Sequence, residues 1–313
     1  MFNYKDFFKR NYGIFTDSEQ NKIRNARILI VGVGGIGGTV AIILARCGLS
    51  RFILVDFDDY DSSNMNRQIG CFTNTLGQNK CQVIRDQITK INPEAEVDIY
   101  PRFLTNAQIA AFIPKADMVF PAADDFAFSL MVFRDCQRLG KPALMVVPSG
   151  TWANVSVIMP NSPPAEDIHG VPRLSTYDKL KEVFELRRYK FGNFYNIPFA
   201  DWRIDYFRSF MDEDFPVPQI CPIVWLSSSL GAFEILKVIS EKRGWEPVIS
   251  PNYWIITGKG IKITSINGFS FQTFLVWQRK ILWHIFQTKM GGQLLDFSEK
   301  MLWRLICSLV PPI

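Results

Sequence analysis

The chain has 313 residues, 48% of them hydrophobic and 21% charged, enough apolar material for one large core or a core with a smaller extension. Its net charge of +5 comes without a lysine and arginine run, which argues against nucleic acid as a partner, and no stretch reaches the ~18 uninterrupted apolar residues of a spanning helix. Met1 to Ile14 mixes charges with aromatics and lacks a signal-peptide core. The six scattered cysteines form no CxxC pair, so they read as reduced thiols in a cytoplasmic protein, mostly core filler, with no zinc site.

Arg27 to Val31 is an apolar run that ends directly in glycines, the pattern of a buried parallel strand. A helix is predicted over Thr39 to Cys47, a second strand over Phe52 to Asp56, and a second helix over Gln78 to Ile91, stopped by Asn92-Pro93. Further strands are expected at Glu96 to Tyr100, Asp117 to Phe120 and Ala143 to Val147, with helices at Thr105 to Phe112 and Phe126 to Leu139. This alternation predicts an α/β fold, a Rossmann-like doubly wound, mainly parallel sheet. Trp152 to Ile158 alternates like an edge or antiparallel strand. From Pro160 to Pro222 the periodicity decays around one helix, Tyr177 to Arg188, before a helix resumes at Ile223 to Lys242. Tyr253 to Ile266 reads as a hairpin turning near Gly258 and Gly260. Phe269 to Ile313 carries Phe269, Phe271, Phe274, Trp277, Trp283, Phe286 and Trp303 among basic residues. The expected organisation is therefore a Rossmann-like core over 1–160, a crossover and substrate region completing it over 161–268, and an aromatic tail over 269–313, an antiparallel and helical extension.

The glycines Gly32, Gly34, Gly35 and Gly37 fit GxGxxG between a strand and a helix, where backbone amides approach a phosphate. Asp56, ending the next strand, suits ribose hydroxyls. To this point a NAD-dependent oxidoreductase is an equal account. Arg67, Lys80 and Asp124 separate the two. A carboxylate attacking an α-phosphate is anion meeting anion, so positive charge must neutralise the developing phosphorane. Arg67 as a planar fork and Lys80 as a point charge suit the phosphates, and Asp124 at a strand's carboxyl end suits Mg²⁺ paired with departing pyrophosphate.

The runs Asp56-Phe57-Asp58, Ser63-Asn64-Met65-Asn66-Arg67-Gln68, Gly77-Gln78-Asn79-Lys80 and Ala123-Asp124-Asp125 closely resemble the ThiF/MoeB/HesA family, bacterial relatives of ubiquitin-activating enzymes. The resemblance runs from about Arg10 to Gly150 and returns weakly at Pro222 to Ile239 and Tyr253 to Ile256. It implies ATP-dependent adenylation of a carboxylate by a homodimer. It also implies that Asp58, Asn64 and Gln68 join the nucleotide pocket, and that Arg10 reaches across the dimer interface onto the partner's ATP. Departures from the family pattern are the missing CxxC pairs of its structural zinc, Pro121 where its strands carry an acid, and the lack of a cysteine between Gly150 and Gln219. Cys221 reads as core filler, and His169 and His284 lack partners at ligand spacing. Three substrate classes follow: a ribosomal peptide precursor in natural-product biosynthesis, as for enzymes of microcin C and pantocin A; the C-terminus of a sulfur carrier; and a carbamoylated tRNA adenosine, as in the threonylcarbamoyladenosine dehydratases. The aromatic tail suits the first, because large rigid side chains contribute contact area to a flexible peptide at low entropy cost, and equally suits a core or dimer-packing helix pair.

Overall fold

The computed structural model describes residues 2–171, 173–185, 190, 196–212, 215–265 and 288–309. Eight strands form one sheet: Arg27–Val31 (β1), Arg51–Val55 (β2), Glu96–Tyr100 (β3), Met118–Pro121 (β4), Ala143–Ser149 (β5), Trp152–Ile158 (β6), Asn252–Thr257 (β7) and Gly260–Ser265 (β8), in the order β3-β2-β1-β4-β5-β6-β7-β8. Pairings from β3 through β5 are parallel and those from β5 through β8 antiparallel. The doubly wound fold with an antiparallel C-terminal side is therefore present. β6 is an internal strand of this sheet, not an edge.

Successive residues of a strand face opposite sides, and here both sides are covered. Ile28 and Ile30 of β1 join one buried cluster with Phe52, Leu54 and Phe120, while Leu29 and Val31 join the other with Ile53 and Val55. The first cluster packs on helices Asp17–Asn25 (α1), Gly35–Arg46 (α2), Lys80–Ile91 (α3) and, further along the chain, Cys221–Ser240; the second packs on Phe126–Arg138 (α4) and Tyr177–Glu185 (α5). Ile204–Asp212 (α6) forms a small separate cluster through Phe207 and Met211 with Ala200 and Trp202.

Cys221–Ser240 (α7) is long and apolar enough by length and composition to cross a membrane, and most of it is buried in the protein. It lies against α2, β5 and β6. Gly231 permits that approach, since a Cβ there would stand 3.0 Å from both Leu144 and Val146. Glu234, fully buried, accepts hydrogen bonds from Lys237 Nζ, Val248 N and Trp254 Nε1, each at 2.7 Å, and so ties α7 to β7.

Several predicted boundaries move by a few residues, two of them for a reason in the sequence. α2 starts at Gly35, a full turn before Thr39, because the glycines themselves form its first turn. α7 starts at Cys221, with Pro222 in the first turn where a missing N–H costs nothing. Among the described residues of the tail, Lys289–Leu309 is helical (α8). Phe269, Phe271, Phe274, Trp277, Trp283, Phe286 and His284 lie outside the described residues.

The chain winds outward from β1 to β2 and β3, then returns to β4 on the other side of β1. The crevice at the carboxyl ends of β1 and β4 is the point where such sheets bind ligands.

Candidate active site

Beyond β1 the backbone turns at Gly32, whose φ of 95° favours glycine, and a Cβ there would stand 2.7 Å from the backbone of Ala122 and Ala123. The segment leading to Asp124 therefore lies directly against the glycine turn. Val33 N donates to Asp56 Oδ2 at 2.7 Å, joining the ends of β1 and β2. Gly34 caps α2 without a side chain, leaving the helix's first amides and its positive end open to the crevice.

Opposite that helix start sits the loop after β2. A turn at Ser62–Asn64 is closed by Asp61 and the buried Asn64, and the Asn64 carbonyl accepts from Arg67 N at 3.2 Å and Gln68 N at 2.9 Å. This fixes Arg67 and Gln68 facing the glycines. The Cβ position of Gly34 is 3.6 Å from Gln68 Nε2, and that of Gly35 is 3.6 Å from Arg67 Cγ. Gln68 is buried, yet its Oε1 has no hydrogen-bond partner among the described residues. An open helix start with only hydrogens lining the glycine side fits a polyanion such as a nucleotide's phosphates, whereas the orphaned Gln68 Oε1, an acceptor, suits an N–H or O–H group of the nucleotide. The ATP expectation thus rests on this cradle as well as on motif spacing.

Arg67 Nε donates to Gln219 Oε1 at 2.9 Å, and its Nη1 donates to Ser63 O at 3.0 Å and Asn66 Oδ1 at 2.8 Å. Lys80, the first residue of α3, is buried and donates from Nζ to Asp58 Oδ2 at 2.8 Å. Asp58 N in turn donates to Asp56 Oδ1 at 2.9 Å. Burial raises the Asp56 carboxyl above its ordinary range, against the pull of the Lys80 charge and the two N–H groups. Each Asp56 oxygen, with one N–H bond made, keeps a lone pair for a hydroxyl. Burial also raises the Cys71 thiol, and the charges of both Lys80 and Arg67 oppose that rise, so both cations act on one small region.

Asp124 is exposed at the crevice. Its neighbour Asp125 caps α4 through Phe128 N at 2.9 Å and accepts the Tyr177 hydroxyl at 2.6 Å. Burial, with this bond, pushes the Tyr177 hydroxyl up to about 12. No cluster of three metal-ligating side chains occurs among the described residues. Asp124 would hold Mg²⁺ only together with oxygens from bound phosphates.

The fold thus gathers Gly32, Gly34, Gly35, Gly37, Asp56, Asp58, Asn64, Arg67, Gln68, Lys80 and Asp124 along one edge. It does not gather Arg10. The turn Lys9–Gly13 is anchored by Asn11 Nδ2 on Cys47 O at 2.9 Å, at the far end of α2. Twelve residues of α2 separate it from Gly34, about 18 Å at 1.5 Å per residue. One cysteine reading changes: Cys221, read as core filler, is partly exposed at the first position of α7, whereas Cys47, also partly exposed, packs against the main cluster. Pro121 ends β4 buried beside Val31, so that position supplies no acid. Sequence reasoning missed Gln219, Asn66 and Tyr177 as partners of the site. Gln219 and Tyr177 belong to the aperiodic excursion, where only contact in three dimensions reveals them, whereas Asn66 lay inside a run already singled out.

A doubly wound sheet with an anion cradle at its switch point and two cations facing it defines a nucleotide-binding protein of the Rossmann type. The chain belongs to the ThiF family, whose model matches residues 8–273. It is similar to the tRNA threonylcarbamoyladenosine dehydratase of Bacillus subtilis, 33% identical over 44% of this chain and 54% of that one. It is also similar to the sulfur carrier protein ThiS adenylyltransferase of Escherichia coli, 28% identical over 50% of this chain and 64% of that one. The chain thus matches less than two thirds of the length of these curated relatives. Among solved structures it shares the fold of the microcin C7 biosynthetic enzyme MccB in complex with N-formylated MccA, with a TM-score of 0.63 and 24% identity over 84% of this chain and 72% of that one.

Proposed function

We propose that this protein uses ATP to activate a carboxylate as an acyl-adenylate. A substrate carboxylate oxygen attacks the α-phosphorus, a P–O bond forms, the bond to the bridging oxygen breaks, and pyrophosphate leaves with that electron pair. The supporting observation is the cradle itself: open amides at the start of α2, a glycine-lined wall, and Arg67 and Lys80 held by neighbours facing it. Gly32, Gly34, Gly35 and Gly37 let the backbone approach the phosphates, and Asn64 fixes the turn that presents Arg67. Asp56, with Asp58 beside it, receives the ribose hydroxyls. Asp124 is the residue suited to Mg²⁺, which when bound neutralises charge on the departing pyrophosphate.

The substrate read best is a peptide precursor modified in a natural-product pathway, supported by the shared fold with MccB, a microcin C7 biosynthetic enzyme, over 84% of the chain. A sulfur-carrier C-terminus is the second reading, favoured by the ThiS adenylyltransferase relative. In a homodimer the partner's Arg10 would supply the positive charge that the chain's own Arg10, at the far end of α2, cannot.

ATP–pyrophosphate exchange, run with a panel of short carboxylate-bearing peptides and with ubiquitin-like carrier proteins, tests both levels. Exchange that depends on a peptide and vanishes in Asp124→Ala supports the first reading. Exchange that depends on a carrier replaces it with the second, and no exchange with any member sinks the activity.

A further inference from the structure

The aperiodic excursion between β6 and α7 returns to the sheet at Pro218–Gln219, where its hydrogen bonds join it to the Arg67 loop and the end of β5. Gly150 N donates to Pro218 O at 2.7 Å, beside a bridge between Gly150 and Gln219. The Gln219 carbonyl accepts from Asn66 Nδ2 at 3.0 Å, while its side-chain Oε1 accepts from Arg67 Nε at 2.9 Å. Six residues on, Trp225 Nε1 donates to the Arg67 carbonyl at 2.9 Å. Arg67 is therefore held at its main chain by α7 and at its guanidinium by the last residues of the excursion.

A guanidinium has five N–H donors in a fixed plane. Three are committed: Nε to Gln219, and both on Nη1 to Ser63 and Asn66. The two on Nη2 make no bond among the described residues. Fixing one edge of a planar group fixes the direction of the opposite corner, so these bonds decide where Nη2 points. Without Gln219, rotation about the last side-chain bonds is restrained only from the Nη1 side, and the long side chain regains rotamers it loses at an entropic cost when it binds.

We infer that Gln219 is a positioning residue that pre-orients Arg67 toward ATP phosphates, so that the fit of the nucleotide site depends on how the excursion is seated. This rests on the reading of Arg67 as a phosphate clamp given above. It makes the segment that would meet a carboxylate substrate a direct determinant of the group that neutralises the phosphates.

The test is equilibrium binding of ATP, with Mg²⁺ present, and of adenosine to wild type, Gln219→Ala, Arg67→Ala and the double variant, beside their melting temperatures. Gln219→Ala is expected to weaken ATP binding about tenfold, the scale of one hydrogen bond to a charged group. Adenosine, lacking every phosphate, should bind within about twofold of wild type. Arg67→Ala should weaken ATP further, and adding Gln219→Ala to it should change nothing, since there is then no fork to orient. Equal losses for ATP and adenosine, or additive losses in the double variant, would mean a general structural role and overturn the inference. So would unchanged ATP binding in Gln219→Ala alongside a clear loss in Arg67→Ala. ATP binding that is unchanged in Arg67→Ala itself overturns the clamp reading, and the inference with it.

Discussion

Alanine placed at Gly34 and alanine placed at Gly37 separate the two uses of this glycine loop. At Gly37 the new Cβ would stand 1.8 Å from the Gly32 carbonyl oxygen. To reach even 3.0 Å, helix and loop must part by 1.2 Å, the difference between the two distances. Glycine to alanine inside a helix normally stabilises by ~1 kcal/mol, but forced overpacking of backbone costs ~1–3 kcal/mol or more and disturbs the turn carrying the phosphate amides. Gly37→Ala should therefore lower Tm by about 2–4 °C and also lose ATP affinity. At Gly34 the Cβ meets nothing closer than Gln68, at 3.6 Å, an ordinary contact. That methyl instead fills the space where phosphate would face the helix start. Gly34→Ala should melt within about 1 °C of wild type yet bind ATP ~10–100-fold more weakly, the loss of one or two charge-assisted hydrogen bonds. Calorimetry for folding and titration for binding check both. Wild-type ATP affinity in Gly34→Ala would refute the placement of the phosphates. Full stability in Gly37→Ala would refute the packing argument.

Three other outcomes are expected. Glu234→Ala strands a buried lysine, an indole N–H and the Val248 amide, so chemical denaturation should show a loss of ~3–5 kcal/mol, and a loss below ~1 kcal/mol would contradict the buried network. The Tyr177 hydroxyl titrates higher in the folded protein than its ordinary 10, so its stabilising effect is fully present below about pH 10 and lost as pH rises towards about 12. Tyr177→Phe should flatten that part of a stability–pH curve, leaving the contribution of Tyr4, which burial also pushes up to about 12; an unchanged slope would contradict the pairing with Asp125. Asp124→Ala should abolish the Mg²⁺ dependence of ATP affinity while leaving AMP binding intact, as read by titration with and without the ion.

The glycine turn, Asp56, Lys80 and Asp124 were legible because they stand at or close to strand and helix ends, which the periods locate, and Arg67 because it lies in a run that resembles the ThiF family. Of the excursion only the helix at Tyr177 was legible. Its other segments are short and packed through scattered aromatics such as Trp202 and Phe207, so no period marks them, and Gln219 gains its meaning only from a loop more than 150 positions earlier. α2 was placed a turn late for the opposite reason: helix propensity counts against Gly35, Gly37 and Gly38, yet the close approach of α2 to β1 at Gly37 and to Ile84 at Gly38 requires them. Cys221 looked like core filler by residue type alone. Its position at the exposed start of α7 follows from Pro222, which marks a helix start without saying which way the neighbouring side chain faces.

The most direct measurement is competition between Mg·ATP and NADH for the wild-type protein, repeated with Arg67→Ala and Lys80→Met. Saturable ATP binding that NADH does not displace, and that both substitutions weaken at least about tenfold, is the predicted result. Tight NADH binding with no measurable affinity for ATP would contradict the account at its centre.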